Sequence, residues 1–222
     1  GSHRVNVSAF SSNGGADNSL RYTGELFAAF LARQGVTVGR TIKSGRVDDT
    51  CVLIYTFTSP KSVAELVQDC LKFSNNFIAN QLFLSCGTAL FGYPATWDKG
   101  RRALRRVLKE HFALSSAEMT IYEGSGLSRN TRVSPFFMLS VLEAFKPYRH
   151  LLPQENQLSI KSGTLTGVYS YGGYFNSPTS SDPFVIILNQ EVNNRKPVLK
   201  YLYEKHRQTE RNGSGLREDY HE

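Results

Sequence analysis

Lys161-Ser162-Gly163-Thr164 sets an ammonium beside two hydroxyls, with a glycine that lets a ligand approach the backbone closely. Groups of this kind hold a carboxylate or polarise a carbonyl. A second chemical cluster stands far upstream, where Ser74 and Asn76 offer a hydroxyl and an amide on either side of Asn75. Between the two lies Glu123-Gly124-Ser125-Gly126-Leu127-Ser128-Arg129, a tight loop punctuated by glycine.

Local elements must bring these groups together. Residues two apart on a helix point away from each other, so Ser74 and Asn76 share a pocket only if they lie on a connection between helices. The pattern agrees. Val63, Leu66, Val67 and Cys70 recur at helical spacing after Ser59-Pro60, the pattern stops at Phe73, and a new one starts at Phe77 with Ile78, Leu82 and Phe83. Lys161 falls on the first of three predicted strands, Leu158 to Gly163, Val168 to Phe175 and Phe184 to Leu188. Asn176 to Asp182 supplies a hairpin loop. Ser134-Pro135 reads as a helix start, with Phe136 to Phe145 filling the helix. Asn18 caps a first helix with Phe27, Phe30 and Leu31 inward, closed by Gly35, and the apolar run Cys51 to Phe57 reads as a strand covered on both faces. Pro197 opens a last helix to about His206, with Val198, Leu199 and Leu202 inward, and the tail from Arg207 is expected to fray.

The 222 residues suit one domain of one or two lobes, with a sizeable core; 40% hydrophobic and 20% charged residues describe an ordinary globular protein. No run of about 18 apolar residues offers a membrane span. Gly1-Ser2-His3 reads as an expression-tag remnant. A net charge of +7 favours anionic surroundings. The segment Trp97 to Phe112 carries Lys99, Arg101, Arg102, Arg105, Arg106 and Lys109, which read as a solvated amphipathic face. No aromatic is interleaved to stack bases, so no nucleic-acid partner is expected. Cys51, Cys70 and Cys86 read as buried small hydrophobes, a disulfide with one free thiol being the lesser alternative. His206 has no partner at a useful spacing, and neither a metal nor another cofactor is expected.

Ser74-x-Asn76 after a helix and Lys161-Ser162-Gly163 on a strand match two of the three motifs of penicillin-recognising serine enzymes, in their usual order. With Phe73 to Gln81, Glu123 to Pro135 and Lys161 to Val168, the chain resembles the low-molecular-mass class C penicillin-binding proteins, the D-alanyl-D-alanine carboxypeptidase/endopeptidase family, over roughly residues 18 to 205. That family usually carries Asp where Glu123 stands and commonly Asp at the position of Asn75. Its third motif, Ser-x-x-Lys, occurs nowhere in these residues. A C-terminal part of a longer protein is the expectation, with the nucleophile upstream.

The resemblance implies an α/β (α+β) transpeptidase-like fold spanning 4–222. The helical lobe would occupy about 60–150 and the sheet lobe about 18–58 plus 151–206, with the sheet backed by the first and last helices. It implies acyl transfer through a serine acyl-enzyme on the D-Ala-D-Ala end of peptidoglycan stem peptides, with β-lactams as mimics, in a periplasmic or other extracytoplasmic envelope. Ser74 would relay a proton to the leaving amine, Asn76 would bond the acyl-side amide, and Lys161 would supply positive charge. Ser162 and Thr164 would bind the terminal carboxylate beside Gly163, the Thr164 N–H would be half of an oxyanion hole, and Ser125 and Leu127 would line the pocket. This chain alone would be inactive. A non-catalytic peptidoglycan-binding module of the same fold is the alternative. An exposed apolar groove on the helical lobe is also expected, covered by self-association or an upstream segment, together with peripheral contact with an anionic envelope surface.

Overall fold

The computed structural model describes residues 16–39, 42–43, 50–56, 58–112 and 119–218. It divides into two compact units, residues 1–60 and 61–222. In the first, helix α1 (Ala16–Arg33) begins ahead of Asn18, which lies inside it. Gly35, at φ 79, closes the helix as expected, with the Val36 N–H bonded to the Leu31 carbonyl at 3.0 Å. Phe27 and Phe30 are exposed rather than inward. The predicted strand at Cys51 is not formed over residues 51–56, where Val52 to Tyr55 are largely solvent-accessible; Phe57 lies outside the described residues. Apolarity and β-propensity make a strand only where a partner ladder exists, and among the described residues no strand ladder forms on this run.

The second unit is built on helices followed by a sheet. Helix α2 (Val63–Phe73) starts at Ser62, not at Ser59-Pro60. The reason is a capping box: the Ser62 hydroxyl accepts the Glu65 N–H at 3.3 Å while Glu65 Oε2 accepts the Ser62 N–H at 2.7 Å. Helices α3 (Asn76–Phe91) and α4 (Trp97–Phe112) cross where Gly87 meets Gly100; a Cβ on Gly87 would stand 2.6 Å from the Gly100 nitrogen. Strands β1 (Met119–Thr120) and β2 (Arg132–Val133) pair, and α5 (Pro135–Phe145) follows, capped by the Ser134 hydroxyl, which accepts the Phe137 N–H at 3.0 Å. A 3₁₀ turn (Lys146–Leu151) leads into β3 (Gln154–Glu155) and the three long strands β4 (Leu158–Leu165), β5 (Val168–Asn176) and β6 (Ser181–Asn189). The last helix, α6 (Arg195–Glu218), starts before Pro197 and runs well past His206. The tail expected to fray is therefore helical through Glu218.

The sheet is antiparallel in the order β3-β4-β5-β6, with Lys161 opposite Gly172. Alternation along the strands gives it two apolar faces. Ile160, Phe175, Phe184 and Ile186 pack on one face against Val198, Leu199, Leu202 and Tyr203 of α6. On the other, Tyr174 and Val185 pack against Leu142 and Phe145 of α5, with Leu152 and Leu71. Tyr174 is wholly buried and its hydroxyl donates to the Leu142 carbonyl at 2.5 Å; burial, then the charge of Glu143, pushes its phenol up to about 12. The helical part is packed more loosely. No residue of α2 is buried, Gly87 alone is buried in α3, and Phe73, Phe77 and Phe136 are more than half exposed. Apolar side chains are thus exposed on this lobe.

The cysteines depart from expectation. None of the three forms a disulfide, Cys51 and Cys86 are exposed, and Cys70 is half-buried. Burial of a thiol requires a filled core around it, which the loosely packed helices do not supply.

Candidate active site

Ser74 ends α2 in the left-handed conformation, φ 49 and ψ 49, and Asn75 starts α3 by accepting the Ile78 N–H on Oδ1 at 3.0 Å. A non-glycine residue in that region is uncommon, and the Asn75 N–H bonded to the Cys70 carbonyl at 3.1 Å helps to fix it. The bend leaves Ser74 exposed and Asn76 half-buried as the first residue of the next helix. Two sequence features make this corner: a serine at the point where one helical pattern ends, and an asparagine that caps the next.

Lys161 comes to this corner from the sheet. Its ammonium donates to Ser74 Oγ across 87 residues of chain, and to the Ser162 carbonyl at 2.7 Å. Burial lowers its proton affinity below the ordinary lysine range. The Cys70 thiol pulls the other way, and the Arg195 guanidinium adds to the lowering.

Arg195 is the residue that sequence reasoning missed. It begins α6 and reaches back over β4, donating to the Gly163 carbonyl at 2.8 Å and to Thr164 Oγ1 at 2.7 Å, with its guanidinium 4.7 Å from the Tyr171 ring centre. Its Nε is buried with no hydrogen-bond partner among the described residues. Nothing local distinguishes it within the 26 lysines and arginines of the chain, so no sequence signal singled it out. Lys161 and Arg195 thus set two positive charges around the Lys161–Thr164 stretch.

That stretch is also a sheet edge. β3 pairs with β4 only at Leu158 and Ser159, leaving residues from Lys161 onward without an outer neighbour among the described strands. The Ile160 N–H turns outward to the Pro153 carbonyl at 2.9 Å. N–H groups two residues apart in a strand point the same way, so those of Ser162 and Thr164 face the open edge. Exposed backbone donors, a hydroxyl and two cations stand together here, groups whose chemistry can bind an extended chain and a carboxylate.

The glycine loop is organised differently from expectation. Glu123 Oε2 accepts both the Ser125 hydroxyl, at 2.5 Å, and the Ser125 N–H, at 2.7 Å, while Oε1 accepts the Ser128 N–H at 3.1 Å. Asn80 Oδ1, one helical turn beyond Asn76, accepts the Gly124 N–H at 2.8 Å and the Ser125 N–H at 3.1 Å. The Ser125 hydroxyl is therefore committed to the loop, and Leu127 is exposed beside it. The i+4 spacing of Asn76 and Asn80 was the available signal for this second anchor. Arg129 ties the loop to the sheet, donating to the Thr166 carbonyl at 2.8 Å.

Burial raises the Glu123 carboxyl, but the bonds from the Ser125 hydroxyl and from the Ser128, Ser125 and Gly126 N–H groups outweigh it and hold the carboxyl below its usual 4.5. Its contribution to stability is then complete above that value and lost as the pH falls through the depressed folded one. Glu123→Gln is expected to cost about 2 kcal/mol at neutral pH. The gap between variant and wild type should narrow in urea titrations as the pH is taken well below 4.5; a gap that does not change with pH would contradict this.

His206 also departs from expectation, for it has partners. Its Nε2 lies 2.7 Å from Asp182 Oδ2 and its Nδ1 lies 3.8 Å from Glu210 Oε2. Glu210 sits one helical turn along α6; Asp182 is supplied by the fold.

A helix-to-helix corner and a sheet edge meet here through the lysine–serine bond. The same architecture is found in penicillin binding protein 4 (dacB) from Haemophilus influenzae, solved as a complex with a novel beta-lactam. The match has a TM-score of 0.69 at 21% identity and covers 85% of this chain and 50% of that one. The predatory endopeptidase Bd0816 of Bdellovibrio bacteriovorus matches with a TM-score of 0.52 at 14% identity, over 66% of this chain and 43% of that one. The chain belongs to the D-Ala-D-Ala carboxypeptidase 3 (S13) family, whose sequence model matches residues 9–157. Curated relatives include the D-alanyl-D-alanine carboxypeptidase DacB of Haemophilus influenzae, 25% identical over 78% of this chain and 41% of the relative, and the D-alanyl-D-alanine carboxypeptidase of Actinomadura sp. (strain R39), 26% identical over 78% and 37%. The chain thus spans about two fifths of the length of these relatives.

Proposed function

We propose that this chain forms the proton-relay and carboxylate-binding part of a serine-type D-alanyl-D-alanine carboxypeptidase/endopeptidase that acts on peptidoglycan stem peptides in the cell envelope. The observation that carries the reading is the Lys161 ammonium on the Ser74 hydroxyl. In the acylation step a serine outside this chain attacks the penultimate D-Ala carbonyl and the amine of the last D-Ala leaves. Ser74 passes a proton to that amine. The proton shed by the attacking serine's hydroxyl replaces it on Ser74, and the Lys161 ammonium, bonded to Ser74 Oγ, supplies the positive charge that orients this relay. Asn76 bonds the acyl-side amide.

The departing residue carries a carboxylate, and the sheet edge suits it. Ser162 and Thr164 supply hydroxyls, Gly163 gives room, and Arg195 holds the Thr164 hydroxyl while adding charge. The outward N–H of Thr164 is well set to stabilise the oxyanion, its partner donor coming from the nucleophile. Ser125, bonded to Glu123, acts through the shape of the loop, with Leu127 as the adjoining apolar wall.

Because no Ser-x-x-Lys is present, this chain is expected to remain dark when incubated with a fluorescent penicillin, whereas the full-length parent should be labelled covalently. Labelling of the isolated chain, or none on an intact parent, would refute the reading. The latter would favour a module that binds cell-wall peptide without cleaving it.

A further inference from the structure

The cluster on the far part of α6 has no role in acyl transfer, and its chemistry is that of a metal ligand set. Asp182 on β6 and His206 and Glu210 on α6 each offer one ligand atom, and the three atoms lie within 4.8 Å of one another. His206 and Glu210 are four apart on one helix face, the spacing at which neighbouring turns present side chains to a common point. The ring of His206 is held in place by Phe175, with ring centres 4.9 Å apart. The Ser180 hydroxyl donates to Asp182 Oδ2 at 2.9 Å, the kind of outer hydrogen bond that orients a ligating carboxylate. The three side chains are partly open to solvent, so a hydrated cation has access.

We propose that Asp182, His206 and Glu210 bind a divalent transition-metal cation of the zinc type. One imidazole nitrogen with two carboxylates suits zinc better than calcium or magnesium, which prefer oxygen alone, and three protein ligands leave a fourth position for water. The cation takes the place of the hydrogen bond between His206 Nε2 and Asp182 Oδ2, whose 2.7 Å separation must widen to roughly 3.3 Å for two tetrahedral ligands on one zinc ion. Glu210 completes the set by rotating its flexible side chain. Lys146, whose charge also helps to hold Asp182 ionised, subtracts from the attraction. The bound cation staples α6 to β6, and α6 is the helix whose first residue, Arg195, grips Thr164. Metal occupancy would thereby steady the carboxylate-binding edge from outside it.

The test is calorimetric titration of the chelator-treated chain with zinc chloride, paired with thermal melts. One saturable site per chain and a higher melting temperature are expected. His206→Ala should abolish that site, and Glu210→Gln should weaken it at least ten-fold while leaving the circular dichroism unchanged. His3 and the three cysteines remain in both variants, so a site built on them would survive. The proposal is overturned if the wild type shows no saturable uptake, or if neither substitution alters it. Cobalt(II) absorbance distinguishes the sources further, because a thiolate charge-transfer band would assign the metal to cysteine. None of these readouts depends on acyl transfer, so they stand or fall apart from the proposed function.

Discussion

Lys161→Ala in the full-length parent is expected to slow acylation by a penicillin about 10²–10⁴-fold, the usual contribution of a positioned proton-transfer group. The physical reason is specific. The ammonium donates to Ser74 Oγ and is itself fixed by the Ser162 carbonyl, so it orients the hydroxyl and holds a positive charge beside it while the proton passes to the leaving amine. Removing it takes the positive charge and the hydrogen-bond donor away from Ser74 Oγ. Ser74→Ala should cost a comparable factor, and the double variant should be little worse than either alone, because the two residues act as one unit. Lys161→Arg keeps the charge but not the compact ammonium, and should restore only part of the rate. Stopped-flow or gel-based rates with a fluorescent penicillin measure all four. A Lys161→Ala enzyme acylating within about two-fold of wild type would remove Lys161 from the relay.

The second large effect concerns the sheet that carries Lys161. Gly173→Ala is expected to destabilise the protein by about 3 kcal/mol or more, at the upper end of overpacking substitutions. Gly173 pairs with Ile160 at the centre of the β4–β5 ladder, and a Cβ there would stand 2.0 Å from the Ser159 carbonyl oxygen and 2.9 Å from the Ile160 Cα. Both are backbone atoms that cannot rotate away, so relief requires the two strands to part just beside Lys161. The neighbouring Gly172 makes an internal control: its nearest contact is a flexible Leu142 methyl at 3.9 Å, so Gly172→Ala should be well tolerated. Denaturant melts compare the two, and equal stability of the Gly173→Ala and Gly172→Ala proteins would contradict the steric account.

Much of the candidate site was legible in the residues because its chemistry is local. The end of one apolar period at Phe73 and the start of another at Phe77 placed Ser74 and Asn76 on a corner, and the structure forms that corner with Ser74 as the C-cap and Asn75 as the N-cap. Lys161 lay on a strand because Leu158 to Gly163 is β-prone and bounded by turn residues. Ser134-Pro135 started a helix where a serine cap and a proline at the first position agree. Each of these depends on neighbours within a few residues.

What the sequence alone determined, then, is the set of local elements, the corner, the lysine-bearing strand and the family resemblance, because periodicity, caps and turn residues act through adjacent turns of chain. Tertiary structure decided which distant groups meet. Arg195 reaches Thr164 only because α6 starts over the edge of β4, and Asn80 anchors the glycine loop only because α3 runs beneath it. Asp182 meets His206 because β6 lies under α6. It also decided which apolar runs are covered: Cys51 to Tyr55 has the composition of a buried strand yet lies exposed, since hydrophobic burial needs a complementary surface and composition cannot supply one.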